Sequence, residues 1–172
     1  MTSLIEAISR LGHFRALVVG DLMLDELLYG NADRLSNDAP VPVLHVKRTE
    51  HRPGGAANVC LNLIAMGGEV SVFGVTGDDD EGRRLRESLE REGVGCGGLV
   101  TDGTRPTTVK RSLIGLAQHR HPQKMFRVDY ESCGPLDEEP MAVIRPRSRI
   151  TRSTAARRAS RPTGPRPRRR RG

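Results

Sequence analysis

Two apolar segments with a helical pattern between them constrain the fold of this chain more than any other feature. Arg15 to Gly20 is a compact apolar run that ends in glycine, and Val70 to Val75 is a second such run. Ala56 to Met66 is almost continuously apolar and is followed by Gly67-Gly68, which predicts a well-buried helix. Runs of this kind are typical of strands buried on both faces of a sheet. With a helical pattern over Asp80 to Glu92, the order predicts a three-layer α/β fold.

The predicted helix over Asp80 to Glu92 is strongly charged, and Leu85 and Leu89 mark its inner side. We expect two arginine–glutamate pairs, each four residues apart, on its outer face: Arg83 with Glu87 and Arg86 with Glu90.

Weaker patterns predict the remaining elements. Ser3 to Glu6 forms a capping box, so a first helix is expected to extend to Leu11. Pro40 to Lys47 alternates apolar and polar residues after two prolines, which favours an edge strand, and Pro53-Gly54-Gly55 is expected to break the chain. Two or three further strands are expected within Gly98–Thr101, Thr107–Gly115 and Met125–Val128.

The basic charge of the chain is concentrated at its C-terminal end. Residues 140–172 contain 12 arginines and no acidic residue, whereas residues 1–139 hold 16 basic and 21 acidic side chains. The absence of periodicity there predicts a disordered tail, separate from a folded part over residues 1–139. One interpretation is an out-of-frame continuation; the alternative is a basic arm that binds nucleic acid non-specifically through phosphates.

Other features of the composition indicate a cytoplasmic protein. The three cysteines, Cys60, Cys96 and Cys133, are far apart, which favours buried thiols in a reducing compartment. No segment approaches the roughly 18 apolar residues of a membrane span, and no signal peptide is evident.

Candidate binding residues lie at two places. Asp21 and Asp25 follow the first predicted strand, and open α/β sheets bind ligands at the carboxyl ends of their strands. Gly54 and Gly55 precede a predicted helix, where glycine permits close approach of a ligand to backbone N–H donors. Asn58 can bond hydroxyl groups in both directions. The alternative for the glycine pair is a tight turn into a packed helix.

Several co-linear motifs connect these residues. The glycine pair is followed at set distances by Asn58, Gly67 and Gly77. Further segments are Gly20–Asp25, Arg34–Ser36, Ala39–Val43, Arg52–Asn58, Gly77–Asp79, Arg105–Lys110 and Arg127–Asp129. Over about Leu17 to Leu136 the chain resembles the N-terminal half of the ribokinase (PfkB) carbohydrate kinase family, in particular its branch that phosphorylates D-glycero-D-manno-heptose 7-phosphate at C1. Cys60 departs from the residue usual in that family.

The resemblance implies a role for each candidate residue. Asp21 and Asp25 would face sugar hydroxyls, and the Gly54-Gly55 backbone with Asn58 would hold another edge of the sugar. Lys110 would meet the phosphate of the substrate. For Asp25 and Lys110 an ordinary surface ion pair is the alternative. The strand around Val41–Val46 would belong to a small β lid that closes over the sugar phosphate and pairs two subunits.

The resemblance also implies which catalytic groups an intact member of the family contains. Intact members use ATP and Mg²⁺, with a catalytic Asp in a Gly-rich motif at a helix N-terminus of the C-terminal half. No such motif occurs in this sequence, so no catalytic residue is assigned, the ATP and Mg²⁺ site is expected to be missing, and the chain alone is expected to lack kinase activity. Fructokinase- or ribokinase-like specificity is an alternative within the family.

Two further patterns are set aside. Gly93 to Gly98 fits G-x-G-x-x-G but follows a charged helix instead of a strand, which argues against a dinucleotide loop. His119 and His121 have no evident third partner, so a metal site is not expected there.

Overall fold

A computed structural model describes residues 12–116 and 121–136, together with 138, 140–142 and 144. The predicted helix from Ser3 to Leu11, the His119 motif and the rest of the arginine-rich tail lie outside the described residues. In chain order the elements are β1 (Arg15–Val19), β2 (Leu22–Leu35), β3 (Pro42–Gly55), α1 (Ala56–Ala65), β4 (Glu69–Gly77), α2 (Asp80–Arg91), β5 (Gly95–Asp102), β6 (Thr108–Gly115) and β7 (Gln123–Tyr130).

Strands β1, β4 and β5 form a three-stranded parallel sheet in the order β1-β4-β5. The central strand β4 is buried as predicted, with Val70 and Val72 at 2% and 0% exposure. The prediction that the first strand is buried on both faces is wrong. Because β1 is an edge strand of the sheet, it is only half covered, and Val19 at its end is 58% exposed.

The other four strands form a second sheet, here called the mixed sheet, in the order β3-β2-β6-β7. Strand β2 is antiparallel to β3 and parallel to β6, and β7 is antiparallel to β6. The predicted edge strand is confirmed as β3, but it extends to Gly55. The expected chain break at Pro53-Gly54-Gly55 is wrong, since Pro53 pairs with Leu24, and an edge strand tolerates proline.

The two helices contact each other, and both pack on β4. The core between helices and sheets includes Leu24, Cys60, Val72, Leu85 and Leu89, all at 2% exposure or less. In α1 only Ala57 and Cys60 are buried, so the prediction of a well-buried helix is wrong. One side of α1 covers the sheet while Val59 on another side is 48% exposed.

Helix α2 begins as predicted and buries Leu85 and Leu89, but its arginines do not form the predicted pairs. Arg86 turns inward and donates to the carbonyl oxygens of Cys96 at 3.2 Å and Leu99 at 3.0 Å. Arg83 pairs with Asp80 and Asp78 at the start of the helix. The sequence spacing is compatible with outer-face pairs, but Arg86 lies where the carbonyl oxygens of β5 are within reach of its guanidinium.

The described residues after β7 cover part of the parallel sheet. Residues 138, 140–142 and 144 are helical, and Ile144 is buried at 8% exposure, although the predicted tail begins at residue 140. Of the three free thiols, Cys60 and Cys96 are buried as predicted. The prediction of a buried thiol is wrong for Cys133, because this residue lies in the exposed segment that follows β7. No helix within the described ranges has the length and apolar character needed to cross a membrane.

Candidate functional site

The chain crosses from the parallel sheet to the mixed sheet at Gly20-Asp21, and α1 starts beside this crossing. The Ala56 N–H donates to the Asp21 carbonyl oxygen at 2.9 Å, and the Gly20 N–H donates to that of Phe73 at 3.2 Å. Asp21 follows the carboxyl end of β1 and is exposed, as expected for a ligand-facing residue of an open α/β sheet. The crossing therefore fixes Asp21 next to the helix N-terminus.

The glycine pair at the end of β3 packs against both predicted aspartates. A Cβ atom at Gly55 would lie 2.6 Å from the Asp21 carbonyl oxygen, and the backbone there has φ +56°, which glycine adopts without strain. A Cβ atom at Gly54 would lie 2.8 Å from Asp25 Oδ2. Gly54 and Gly55 thus let two carboxylate-bearing residues and the start of α1 approach one another closely.

Asn58 lies in the first turn of α1 and is exposed. Gly55 is the N-cap of this helix, and no side chain caps it. The structure therefore brings five of the six predicted residues, namely Asp21, Asp25, Gly54, Gly55 and Asn58, to one region where the sheets and α1 meet.

Lys110, the sixth predicted residue, lies on β6 directly beside Asp25 on β2. Its ammonium group forms ion pairs with Asp129 Oδ2 at 3.2 Å and Glu131 Oε2 at 3.6 Å, and the side chain is 22% exposed. Desolvation opposes ionisation of Asp129, but the contacts of this carboxylate with Lys110 and Arg127 outweigh it and lower the pKa of Asp129. An ion pair at Lys110 was the alternative interpretation of this residue. A role in binding phosphate stays a prediction.

A cavity of about 660 Å³ lies beside this region, between the two sheets. Asp21 is the one predicted site residue that lines it. The wall also includes Phe73, Arg105, Thr108 and Cys133. A volume of this size lies within the usual range for small-molecule sites, roughly 300–1,000 Å³.

Arg105 belongs to the Arg105–Lys110 motif, but the sequence predicts no role for it. Its guanidinium donates to Ser132 Oγ at 3.2 Å and to the Gly134 carbonyl oxygen at 2.9 Å, and it lies 3.8 Å from Asp102 Oδ2. Arg105 thereby holds the segment after β7 against the end of β5, which shapes one wall of the cavity. Only the long-range contacts show this role.

The sequence also predicts no role for Asp79, although this residue belongs to the Gly77–Asp79 motif. Its Oδ1 accepts hydrogen bonds from the Gly82 N–H at 2.8 Å and the Thr107 hydroxyl at 2.6 Å, and its Oδ2 accepts one from the Thr107 N–H at 2.7 Å. Desolvation opposes ionisation of this carboxyl, but the hydrogen bonds outweigh it and lower the pKa of Asp79. A short loop between β5 and β6 is fixed in this way to the start of α2.

Within the described residues, no group of three or more His, Cys, Asp or Glu side chains is arranged to hold a metal ion. A Mg²⁺ ion held by protein side chains alone therefore has no donor set in this part of the chain.

Comparison with known proteins identifies the family of the chain. Residues 14–120 match the model of the pfkB family carbohydrate kinases. The chain belongs to this family. It is 46% identical over 131 residues to the bifunctional protein HldE of Pelobacter propionicus, covering 76% of this chain and 26% of that protein. It is 45% identical over 122 residues to the D-beta-D-heptose 7-phosphate kinase of Bordetella bronchiseptica, covering 71% and 37%.

Solved structures confirm the predicted ribokinase-like α/β fold. A carbohydrate kinase from Agrobacterium tumefaciens superposes with a TM-score of 0.54 at 19% identity, covering 67% of this chain and 35% of that chain. A protein from Clostridium perfringens proposed to be a sugar kinase gives a TM-score of 0.58 at 14% identity, covering 79% and 40%. The chain thus spans about a quarter to about two fifths of the length of these relatives.

Proposed function

We propose that this chain forms the sugar-binding side of a kinase that transfers a phosphoryl group from ATP to the C1 hydroxyl of D-glycero-D-manno-heptose 7-phosphate. The observation that carries the proposal is the packing of Asp21 and Asp25 around Gly54-Gly55 at the N-terminus of α1. Carboxylates accept hydrogen bonds from several hydroxyl groups, and helix N–H groups complement negative charge, so this arrangement suits a polyhydroxylated sugar phosphate. The 45% identity to a heptose 7-phosphate kinase supports heptose 7-phosphate as the substrate.

Each predicted residue has a proposed role. Asp21 and Asp25 accept hydrogen bonds from sugar hydroxyls, Asn58 bonds a further hydroxyl from the first turn of α1, and Lys110 binds the phosphate. Lys110 would have to share its charge between the phosphate and its two carboxylate partners. The mixed sheet acts as a lid that excludes water from the sugar.

We also propose that phosphoryl transfer needs protein groups beyond those described. A hydroxyl group needs a base near it, and the migrating charge needs donors. Neither Asp21 nor Asp78, the two aspartates that directly follow a glycine, is assigned that role. The division into a folded part and a separate tail stays a proposal, and because Ile144 is buried its boundary would lie after residue 144 and not at residue 139.

Binding of heptose 7-phosphate to the full chain, measured by titration calorimetry, tests the sugar site. We expect Asp25→Asn to weaken binding by about tenfold or more, since a hydrogen bond to a charged group contributes roughly 1.5–3 kcal/mol. Asp33→Asn is the matched control, because Asp33 lies on the same strand and is exposed. Equal affinity of Asp25→Asn and the unaltered chain would refute the site.

The same chain in a coupled ADP-release assay tests the second proposal, for which no turnover is expected. Turnover would show that the catalytic groups are present after all. A panel with fructose and ribose separates the specificities within the family. Salt-sensitive binding to random DNA that disappears when residues 140–172 are removed would instead favour the nucleic-acid alternative.

Pairing of two chains through the mixed sheet is also a proposal. Its edge strands β3 and β7 carry exposed apolar side chains, with Val46 at 41% and Phe126 at 66% exposure. Sedimentation of the unaltered chain and of Phe126→Ser measures the oligomeric state. If the unaltered chain is a monomer at all concentrations, the pairing proposal is wrong.

A further inference from the structure

Asp25 lies between two positively charged side chains on one face of the mixed sheet. In the sheet register, Arg52 on β3 and Lys110 on β6 are the direct neighbours of Asp25 on β2. Asp129 on β7 follows next to Lys110. Because direct neighbours on adjacent strands project to the same face of a sheet, the four strands carry a row of side chains with alternating charge. Among the described residues, Asp25 forms no ion pair with either of its positively charged neighbours.

The carboxylates on the β7 side of this row neutralise the cations there. The Lys110 ammonium group lies 3.2 Å from Asp129 Oδ2 and 3.6 Å from Glu131 Oε2. The Arg127 Nε atom lies 2.8 Å from Asp129 Oδ1. Two cations therefore face two carboxylates, in addition to Asp25. A phosphate group carries about 1.5–2 negative charges at pH 7, so its binding beside Asp25 requires positive charge from another part of the sheet.

The β3 side of the row has an excess of positive charge. Arg48, Glu50 and Arg52 are two residues apart on β3 and therefore share a face. Arg52 Nη2 donates to Glu50 Oε2 at 2.6 Å, and Arg48 pairs with the other oxygen of the same carboxylate. The Arg48 guanidinium also lies over the Tyr29 ring, 3.7 Å from its centroid, in a cation–π contact. One carboxylate compensates only one of the two arginines, and the Arg52 side chain, 61% exposed, is open to a ligand beside Asp25.

We propose that Arg52 binds the phosphate group of the sugar phosphate while Asp25 accepts hydrogen bonds from its hydroxyl groups. The inference rests on the proposed function and names a second phosphate ligand besides Lys110. A guanidinium group can donate two parallel hydrogen bonds to phosphate oxygens, a geometry that an ammonium group lacks. Because Arg48 also pairs with Glu50, Arg52 can turn to the phosphate without leaving this carboxylate unpaired. Arg52 and Lys110 then approach the ligand from opposite sides of Asp25.

Titration calorimetry of the full chain with D-glycero-D-manno-heptose and with its 7-phosphate tests the proposal. The ratio of the two affinities measures the preference for the phosphate group. We expect the unaltered chain to prefer the 7-phosphate, and Arg52→Gln to reduce this preference by about tenfold or more, because charge-assisted hydrogen bonds are lost. The affinity of Arg52→Gln for the unphosphorylated sugar should not change. Arg91→Gln is the matched control, since Arg91 is an exposed arginine at the end of α2.

Glu50→Gln provides a second test that does not depend on the folding of Arg52→Gln. It removes the negative charge that competes with the phosphate for Arg52, so the preference for the 7-phosphate should rise, in the direction opposite to that of Arg52→Gln. Equal affinities of the unaltered chain for the two sugars, or an unchanged preference in either folded variant, would overturn the inference and leave the sugar site in place. A chain that binds neither sugar would contradict the proposed function as well.

Discussion

Asp79 binds Thr107 with both of its carboxylate oxygens. Oδ2 accepts from the backbone N–H at 2.7 Å and Oδ1 from the hydroxyl at 2.6 Å. The same Thr107 oxygen accepts a hydrogen bond from the Gly77 N–H at 2.8 Å. These contacts fix the end of β4, the start of α2 and the start of β6 to one another, although 28 residues separate Asp79 from Thr107.

Replacing Asp79 should therefore lower the free energy of unfolding by more than the loss of a helix cap alone would. We expect Asp79→Ala to lower the free energy of unfolding by about 2–4 kcal/mol, from the lost N-cap and the unsatisfied Thr107 groups. Urea denaturation measures the change. Asp78→Ala is the matched control, since Asp78 is exposed and its ion pair with Arg83 is 3.8 Å long, and it should change stability by less than about 1 kcal/mol. Equal losses in the two variants would contradict this account.

Because the pKa of Asp79 is lowered in the folded chain, the free energy of unfolding should depend on pH in the acidic range. A carboxyl group whose pKa is lower in the folded than in the unfolded state stabilises the fold fully above its unfolded value, near 3.9, and this contribution is lost as the pH falls through the folded value. We expect the free energy of unfolding to fall on acidification from about pH 5 to below pH 3. In Asp79→Asn that dependence should be shallower, and urea midpoints across this range measure it. An unchanged slope would show that other carboxyl groups dominate.

Arg86 and Arg83 occupy the same helix but should differ in their contribution to stability. Arg86 donates to two backbone carbonyl oxygens of β5, whereas the Arg83 side chain is 60% exposed. We expect Arg86→Ala to lower the free energy of unfolding by about 1–3 kcal/mol and Arg83→Ala by less than about 1 kcal/mol. Thermal unfolding of the two variants measures the difference. Similar losses would mean that the carbonyl contacts of Arg86 do not contribute.

The three thiols should react at very different rates. Cys133 is exposed, while Cys60 and Cys96 are buried. Burial, with the nearby Glu90 carboxylate, raises the pKa of Cys96 to about 11, and burial also raises that of Cys60. At pH 8 an aromatic disulfide reagent should modify one thiol quickly, and Cys133→Ser should abolish that phase. Rapid reaction of two or more thiols in the native chain would contradict the burial of the others.

The sequence predicted correctly the elements that are determined by residues close together along the chain. The apolar run of β4 and the amphipathic α2 with Leu85 and Leu89 were correct, because burial of one face dictates such patterns. Strand β2 was not predicted, since Leu22 to Leu35 mixes charged and apolar residues and becomes a strand by pairing with β3 and β6. The direction of Arg86 likewise depends on carbonyl oxygens 10 and 13 residues away.

For the site, the glycine pair and its two aspartates could be predicted because each has a local signature. Asp79 and Arg105 could not, since their partners come from other elements. The placement of Glu26 between His51 and Arg111 depends on the register of three strands, which the sequence alone does not supply.

Among the described residues, the chain passes between the mixed sheet and the rest of the fold at Gly20-Asp21, Gly55-Ala56 and Gly103–Thr107, and these crossings lie at the same end of the molecule. If the mixed sheet rotates about these crossings, its distal turn near Ser36 travels farthest while the crossings hardly shift. A small molecule seated beside them would then experience large changes in shelter from water with little change in its direct contacts. The affinity for such a molecule and its exposure to solvent could therefore change separately during evolution.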